Sequence, residues 1–183
     1  MPLIYRALIG LTAGTLLSAA AQAEPTNFRV GAGLYTASFD NAPEWMPETS
    51  DKGMALIAEF PQSANAGSRL MIYRVNGEDG RRLEGAETQL MWGIGLNQPG
   101  FRAYTGPAWH YENIRVPAAS GNTRFRRFNG WGWHLGTGVQ YKAVTLDLAA
   151  TWRVADDYTN EAERGGMDGG DVFTYSLLTS YRF

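Results

Sequence analysis

From Phe28 onward the chain alternates, residue by residue, between a large apolar side chain and a small or polar one, in eight segments separated by turn residues. The stretch "GWGWHLGTGVQY", residues 130–141, shows this most sharply. Trp131, Trp133, Leu135, Thr137, Val139 and Tyr141 lie on one face, and Gly130, Gly132, His134, Gly136, Gly138 and Gln140 on the other. A β-strand turns successive side chains to opposite sides, so a period of two predicts strands. The other predicted strands are Phe28–Phe39, Lys52–Phe60, Arg69–Asn76, Glu84–Leu96, Phe101–Tyr111, Val144–Val154 and Phe173–Phe183. In most of them one face is continuously apolar while the other mixes glycine with Arg, Glu, Gln, His and Thr. The third alternates least regularly, setting Met71, Tyr73 and Val75 opposite Arg74.

Glycine packs nothing and weakens an ordinary strand, so its repetition on one face predicts that something bulky approaches there. A face of glycines and paired charges suits the inside of a narrow barrel; a continuous apolar face suits lipid outside it. The fold class predicted is an all-β, eight-stranded antiparallel transmembrane β-barrel, whose interior has room only for side chains. Its connections are uneven. "PQSANAGS", "NQPG" and "KA" are short, whereas residues 40–51, 77–83, 112–127 and 155–170 make the other four, mostly longer, connections. Short turns on the periplasmic side and longer loops outside are the expected arrangement, with both chain ends on the short-turn side. A soluble lipocalin-like barrel is the structural alternative; it would turn the apolar face inward.

The N-terminal residues sharpen the compartment. Residues 1–23 carry Arg6, an apolar stretch from Ala7 to Leu17 and an A-x-A pattern at Ala21 and Ala23, which predicts a secretory signal peptide cleaved before Glu24. The apolar stretch is well short of the roughly 20 residues a membrane helix needs. The barrel is then residues 24–183. Cleavage would leave 15 basic against 18 acidic residues, a net of 15 − 18 = −3. That balance argues against nucleic acid as a partner. There is no cysteine, so disulfides, thiol chemistry and a lipid anchor on an N-terminal Cys are excluded.

The final "YSLLTSYRF" alternates aromatic or apolar residues up to Phe183. It resembles the C-terminal signal of outer-membrane barrels, with Tyr175, Tyr181 and Phe183 as the residues that the barrel-assembly machinery would read. With the signal peptide and eight strands, the chain resembles the small outer-membrane barrels of the OmpA transmembrane-domain, OmpX and Ail type. The resemblance implies a location in a bacterial outer membrane, with lipid and lipopolysaccharide as surroundings, an extracellular ligand or host surface as a further partner, and a monomeric state. Barrels of this class serve as adhesins, structural proteins, enzymes and narrow channels, so it leaves function open.

The short turns fix register. Across "NQPG" residue numbers sum to 197, setting Glu87 opposite His110 and Gly95 opposite Arg102. Across "KA" they sum to 285, setting Gly138 opposite Asp147, Gly132 opposite Arg153 and His134 opposite Thr151. Arg29, Glu59, Arg102, Asp147 and Arg182 are expected near the periplasmic end of the lumen, and Glu87, His110 and Arg153 nearer the outer end. Buried charges must be paired, so these predict a polar network that plugs the lumen. The function expected is structural and interactive, without catalysis or cofactor. The alternatives are a narrow channel gated by exchange of ion pairs, and a lipid A-modifying enzyme. For the enzyme, Glu87 beside His110 supplies a carboxylate–imidazole pair, but no serine nucleophile accompanies it.

The loops add two candidates. "NTRFRRF" carries Arg124, Arg126 and Arg127 among Phe125 and Phe128, a composition suited to lipopolysaccharide phosphates or a surface polyanion. "DDYTNEAERGGMDGGD" is acidic and glycine-rich but lacks EF-hand spacing. Loop one, with Trp45 and two prolines, is placed to fold over the barrel mouth. No His and Cys cluster suggests a transition metal.

Overall fold

A computed structural model describes residues 28–39, 51–77, 80–117, 123–154 and 172–183. The predicted signal peptide, loop one with Trp45 and the acidic fourth loop lie outside the described residues. The strands are β1 (Arg29–Phe39), β2 (Lys52–Pro61), β3 (Ala66–Asn76), β4 (Arg82–Ile94), β5 (Gly100–Pro117), β6 (Thr123–Tyr141), β7 (Val144–Arg153) and β8 (Val172–Arg182). They pair in sequence order and antiparallel, and β1 closes on β8 to complete a barrel.

Side chains alternate between the lumen and the outside. On β6, Trp131, Trp133, Leu135, Val139 and Tyr141 are exposed, whereas His134 and Gln140 are buried. On β7, Leu146, Leu148 and Trp152 point out while Thr145, Asp147, Thr151 and Arg153 point in. The exterior is therefore the apolar surface, as predicted. Its aromatics sit toward the ends: Trp109, Trp131 and Trp152 toward one, Phe101, Tyr141, Tyr181 and Phe183 toward the other. From Trp131 to Tyr141, ten residue steps of roughly 3.3 Å at about 40° tilt span about 25 Å, the height of a lipid-facing band.

The predicted glycines admit their neighbours. A Cβ at Gly136 would lie 2.3 Å from the ring of Tyr104, and one at Gly138 would lie 2.0 Å from Asp147 Oδ1. Gly85 does the same for the Tyr73 ring, which its Cβ would approach to 2.6 Å. At the "KA" turn, Lys142 takes φ 55°, the left-handed conformation that the favoured two-residue hairpins require.

Three boundaries differ from the sequence expectation. β5 and β6 continue as a paired hairpin up to Pro117↔Thr123, so most of the predicted loop 112–127 is strand. Sequence marks where the apolar band ends, whereas backbone pairing continues above it. Likewise β3 begins at Ala66, which shortens the turn between β2 and β3, and β4 begins at Arg82, which shortens the connection between β3 and β4. Leu96, predicted on the outer face, lies just beyond β4 and is buried with Met91 and Tyr104.

Candidate functional site: a cross-braced lumen and a charged rim

Among the described residues the lumen holds four guanidiniums (Arg29, Arg69, Arg102, Arg153) and four carboxylates (Glu59, Glu87, Glu112, Asp147), all at most 1% exposed. They form two layers. Toward the short turns, Glu59 accepts from Arg29, from Arg69 (Nη2 2.7 Å, Nε 3.1 Å) and from Arg102 (Nη2 2.8 Å). Arg69 also donates to Asp147 at 2.9 Å, and Arg102 Nε stands 3.3 Å from Asp147 Oδ1. Arg29 also donates to Gln140. The rings of Tyr104 and the guanidiniums of Arg69 and Arg102 stack at 5.0 and 5.1 Å, a favourable cation–π geometry.

Toward the other end, Arg153 donates to Glu112 (2.8 Å), the Tyr35 hydroxyl (2.8 Å), the Tyr73 hydroxyl (2.9 Å) and Glu87 (3.0 Å). Tyr73 in turn donates to Glu112 at 2.7 Å and stacks on Tyr35 at 4.3 Å. One side chain on β7 thus ties β1, β3, β4 and β5. Gln89 joins the layers, accepting from Arg69 at 3.4 Å and donating to Glu87 at 2.7 Å. Above the polar layers Val75, Leu83, Ile114, Phe128 and Val172 are at most 1% exposed and belong to one apolar cluster.

The register predicted from the turns is present: Glu87↔His110, Gly138↔Asp147, Gly132↔Arg153 and His134↔Thr151. Arg29, Glu59, Glu87, Arg102, Asp147 and Arg153 all enter the network. His110 is buried beside it. The Glu87 carboxylate accepts from Arg153, Gln89 and Thr151, so its oxygens are committed to the brace. Arg182 stands apart: it is only partly buried and donates to the Asn97 carbonyl at 3.2 Å, at the turn end. It has inward parity at the end of β8, and Asn97 lies in the β4–β5 turn on the opposite side of the barrel, so the side chain reaches across the short-turn mouth of the lumen.

Sequence reasoning missed Arg69 and Glu112. Arg69 shares its face with the apolar Met71, Tyr73 and Val75, so β3 has no polar face to read. Glu112 has the parity of Arg102 and His110 but lies past the predicted end at Tyr111. The signal was available in Gly85, which stands opposite Tyr73 on one side and Glu112 on the other.

Above the apolar band, β6 carries Arg126 and Arg127 in the strand, with Arg127 exposed and Phe128 buried. Adjacent strand residues point to opposite faces, so these two do not form one loop cluster. The side chain of Arg124 lies outside the described residues. At the chain's end Tyr175, Tyr181 and Phe183 all point outward. Tyr181 meets Phe183 edge-on at 5.2 Å.

No family model and no curated protein matches the sequence. Among solved structures, the fold is similar to Neisserial surface protein A, at TM-score 0.61 and 13% identity over 86% of this chain and 98% of that one. It is also similar to Ail, the attachment invasion locus protein of Yersinia pestis (TM-score 0.53, 12% identity, 85% and 96% covered). The N-terminal β-barrel domain of Pseudomonas aeruginosa OprF gives TM-score 0.54 at 10% identity, with 87% and 100% covered. The chain therefore has the eight-stranded fold of the small outer-membrane barrels.

Proposed function

We propose that this protein is a non-conducting barrel of the bacterial outer membrane, which spans the lipid and presents its outer hairpins as an interaction surface. The short turns then face the periplasm and the extended β5–β6 hairpin faces outward. The observation that carries the reading is the lumen itself. Eight buried charges of balanced sign and one apolar layer fill a barrel whose width allows nothing more. Opening a path would require several of these ion pairs to lose their partners in a low-dielectric interior, at a cost of about 3–5 kcal/mol for each broken pair. The same residues support a role without catalysis, because Glu87 is spent on structural partners. The test is conductance in planar bilayers. The expected result is silence over many insertions of the folded protein, with conductance appearing in Arg153→Ala. Steady discrete conductance by the unaltered protein would overturn the reading.

A further inference from the structure

The outward-facing positions of β2–β6 form cross-strand rows that change character abruptly. One row runs Ala58–Leu70–Thr88–Trp109–Trp131 and the next Leu56–Ile72–Ala86–Tyr111–Asn129. Two residues further along each strand the rows become Met54–Arg74–Glu84–Asn113–Arg127 and then Lys52–Asn76–Arg82–Arg115. Lys52, Arg115 and Arg127 are exposed, and Arg74 and Glu84 are about half exposed. Five cations thus stand against one carboxylate on a chain whose overall charge is −2. The patch is one-sided: among the described residues, the outward positions of β1, β7 and β8 carry no charge.

Beneath the cations lies a groove of about 420 Å³, lined by Met54, Leu56, Ile72, Arg74, Glu84 and Gly85 among others. Its walls are apolar side chains and its head is the Arg74–Glu84 pair, 3.3 Å apart, with Arg82 3.6 Å from the same carboxylate oxygen.

From these juxtaposed features we infer that this face is a binding site for one phosphorylated, multiply acylated glycolipid of the lipopolysaccharide class. An acyl chain lies in the groove, and its phosphates are held by Arg74, Arg82 and Arg115, flanked by Lys52 and Arg127. Arginine forks bind phosphate bidentately. A soluble polyanion would satisfy the cations but leave the groove empty, and a neutral lipid the reverse; only a ligand with both parts uses the step between the rows. Of the three arginines expected from sequence to bind lipopolysaccharide, only Arg127 is in this site. Glu84 opposes phosphate and competes for Arg74 and Arg82. The inference rests on the outer-membrane reading above, but the two fail separately, since a conducting protein could still carry the site and a silent one could lack it.

The experiment is native mass spectrometry of the folded full protein in detergent, titrated with bisphosphorylated lipid A, dephosphorylated lipid A and the deacylated phosphorylated glycan. Heat-dependent gel mobility verifies that each variant is folded. Replacing Arg74, Arg82 and Arg115 together by Ala is expected to weaken bisphosphorylated lipid A at least about tenfold, the equivalent of 1.4 kcal/mol, and to leave the dephosphorylated lipid unchanged. Glu84→Gln is expected to tighten the phosphorylated lipid. Leu56→Ala with Ile72→Ala is expected to weaken the lipid without affecting the glycan. Equal retention by the triple variant, or equal binding of phosphorylated and dephosphorylated lipid, would overturn the site. Glycan binding as tight as lipid A would replace it with a soluble-polyanion surface.

Discussion

The molecule holds two populations of arginine that the strand pleat separates by a single residue. Those in the lumen, such as Arg69 and Arg153, are fully buried, and each bonds at least two acceptors. Those on the outer rim, such as Arg74 and Arg82, share one half-exposed carboxylate at 3.3 and 3.6 Å. The chemistry is the same and the surroundings differ. In the lumen, a guanidinium that loses its carboxylate stays buried, so the pair cannot be broken cheaply. On the rim, water and counterions replace any lost partner, so the pair adds little to the fold and its charge remains available to a ligand. Lumen arginines are therefore structural because they are inaccessible, whereas rim arginines stay within reach of a ligand because they are not.

The comparison breaks most severely at Glu59, whose carboxylate accepts from three guanidiniums. In Glu59→Ala, Arg69 and Arg102 keep Asp147, and among the described residues no other carboxylate remains in the layer of Arg29, Arg69 and Arg102. The expected loss is about 3–5 kcal/mol, read as a lower urea midpoint for unfolding, followed by heat-dependent gel mobility. A midpoint unchanged from the parent would mean that water reaches this layer and that the lumen is not the low-dielectric interior argued above.

A smaller effect is expected where space, rather than charge, is altered. Gly136→Ala places a methyl group where the Tyr104 ring now lies, and Tyr104 packs under both Arg69 and Arg102. Overpacking of this kind costs about 1–3 kcal/mol. Adding Tyr104→Leu is expected to recover part of the loss, because the two residues face each other across β5 and β6 and neighbouring sites are not additive. Strict additivity in this cycle would show that Gly136 is required for its backbone and not for the room it gives Tyr104.

The lumen was partly legible in the sequence and the rim was not. Short turns pin residue-number sums, so Glu87↔His110 and Asp147↔Gly138 follow from "NQPG" and "KA" alone. Glycine then marks where bulk enters, as at Gly138 opposite Asp147. β3 resisted because its inward face is apolar in the upper part, with Met71, Tyr73 and Val75 in line with Arg69. Period-two reading needs two chemically different faces, and here both look alike. The end of β5 resisted for a different reason: Tyr111 closes the aromatic pattern, while pairing with β6 runs on to Pro117. The charged rows depend on that extension and on pairing across β3–β4 and β5–β6, whose registers no short, recognisable turn announces. Arg74, Arg82 and Arg115 are scattered in sequence, and only the barrel makes them neighbours.

The smallest stability effect is expected at the rim, and its smallness is the point. Arg74→Ala removes a guanidinium 3.3 Å from Glu84, with both side chains about half exposed. Solvent screens such a pair, so the urea midpoint is expected to fall by no more than the equivalent of about 1 kcal/mol, with the difference shrinking further in high salt. Arg82 remains near Glu84, which limits the loss again. Measured beside Glu59→Ala in the same micelles, the two substitutions each remove one member of an arginine–carboxylate contact and differ mainly in where the pleat has put it. A loss at Arg74 as large as that at Glu59 would mean the rim row is part of the brace, and its charge would then be committed to the fold instead of held ready for phosphate.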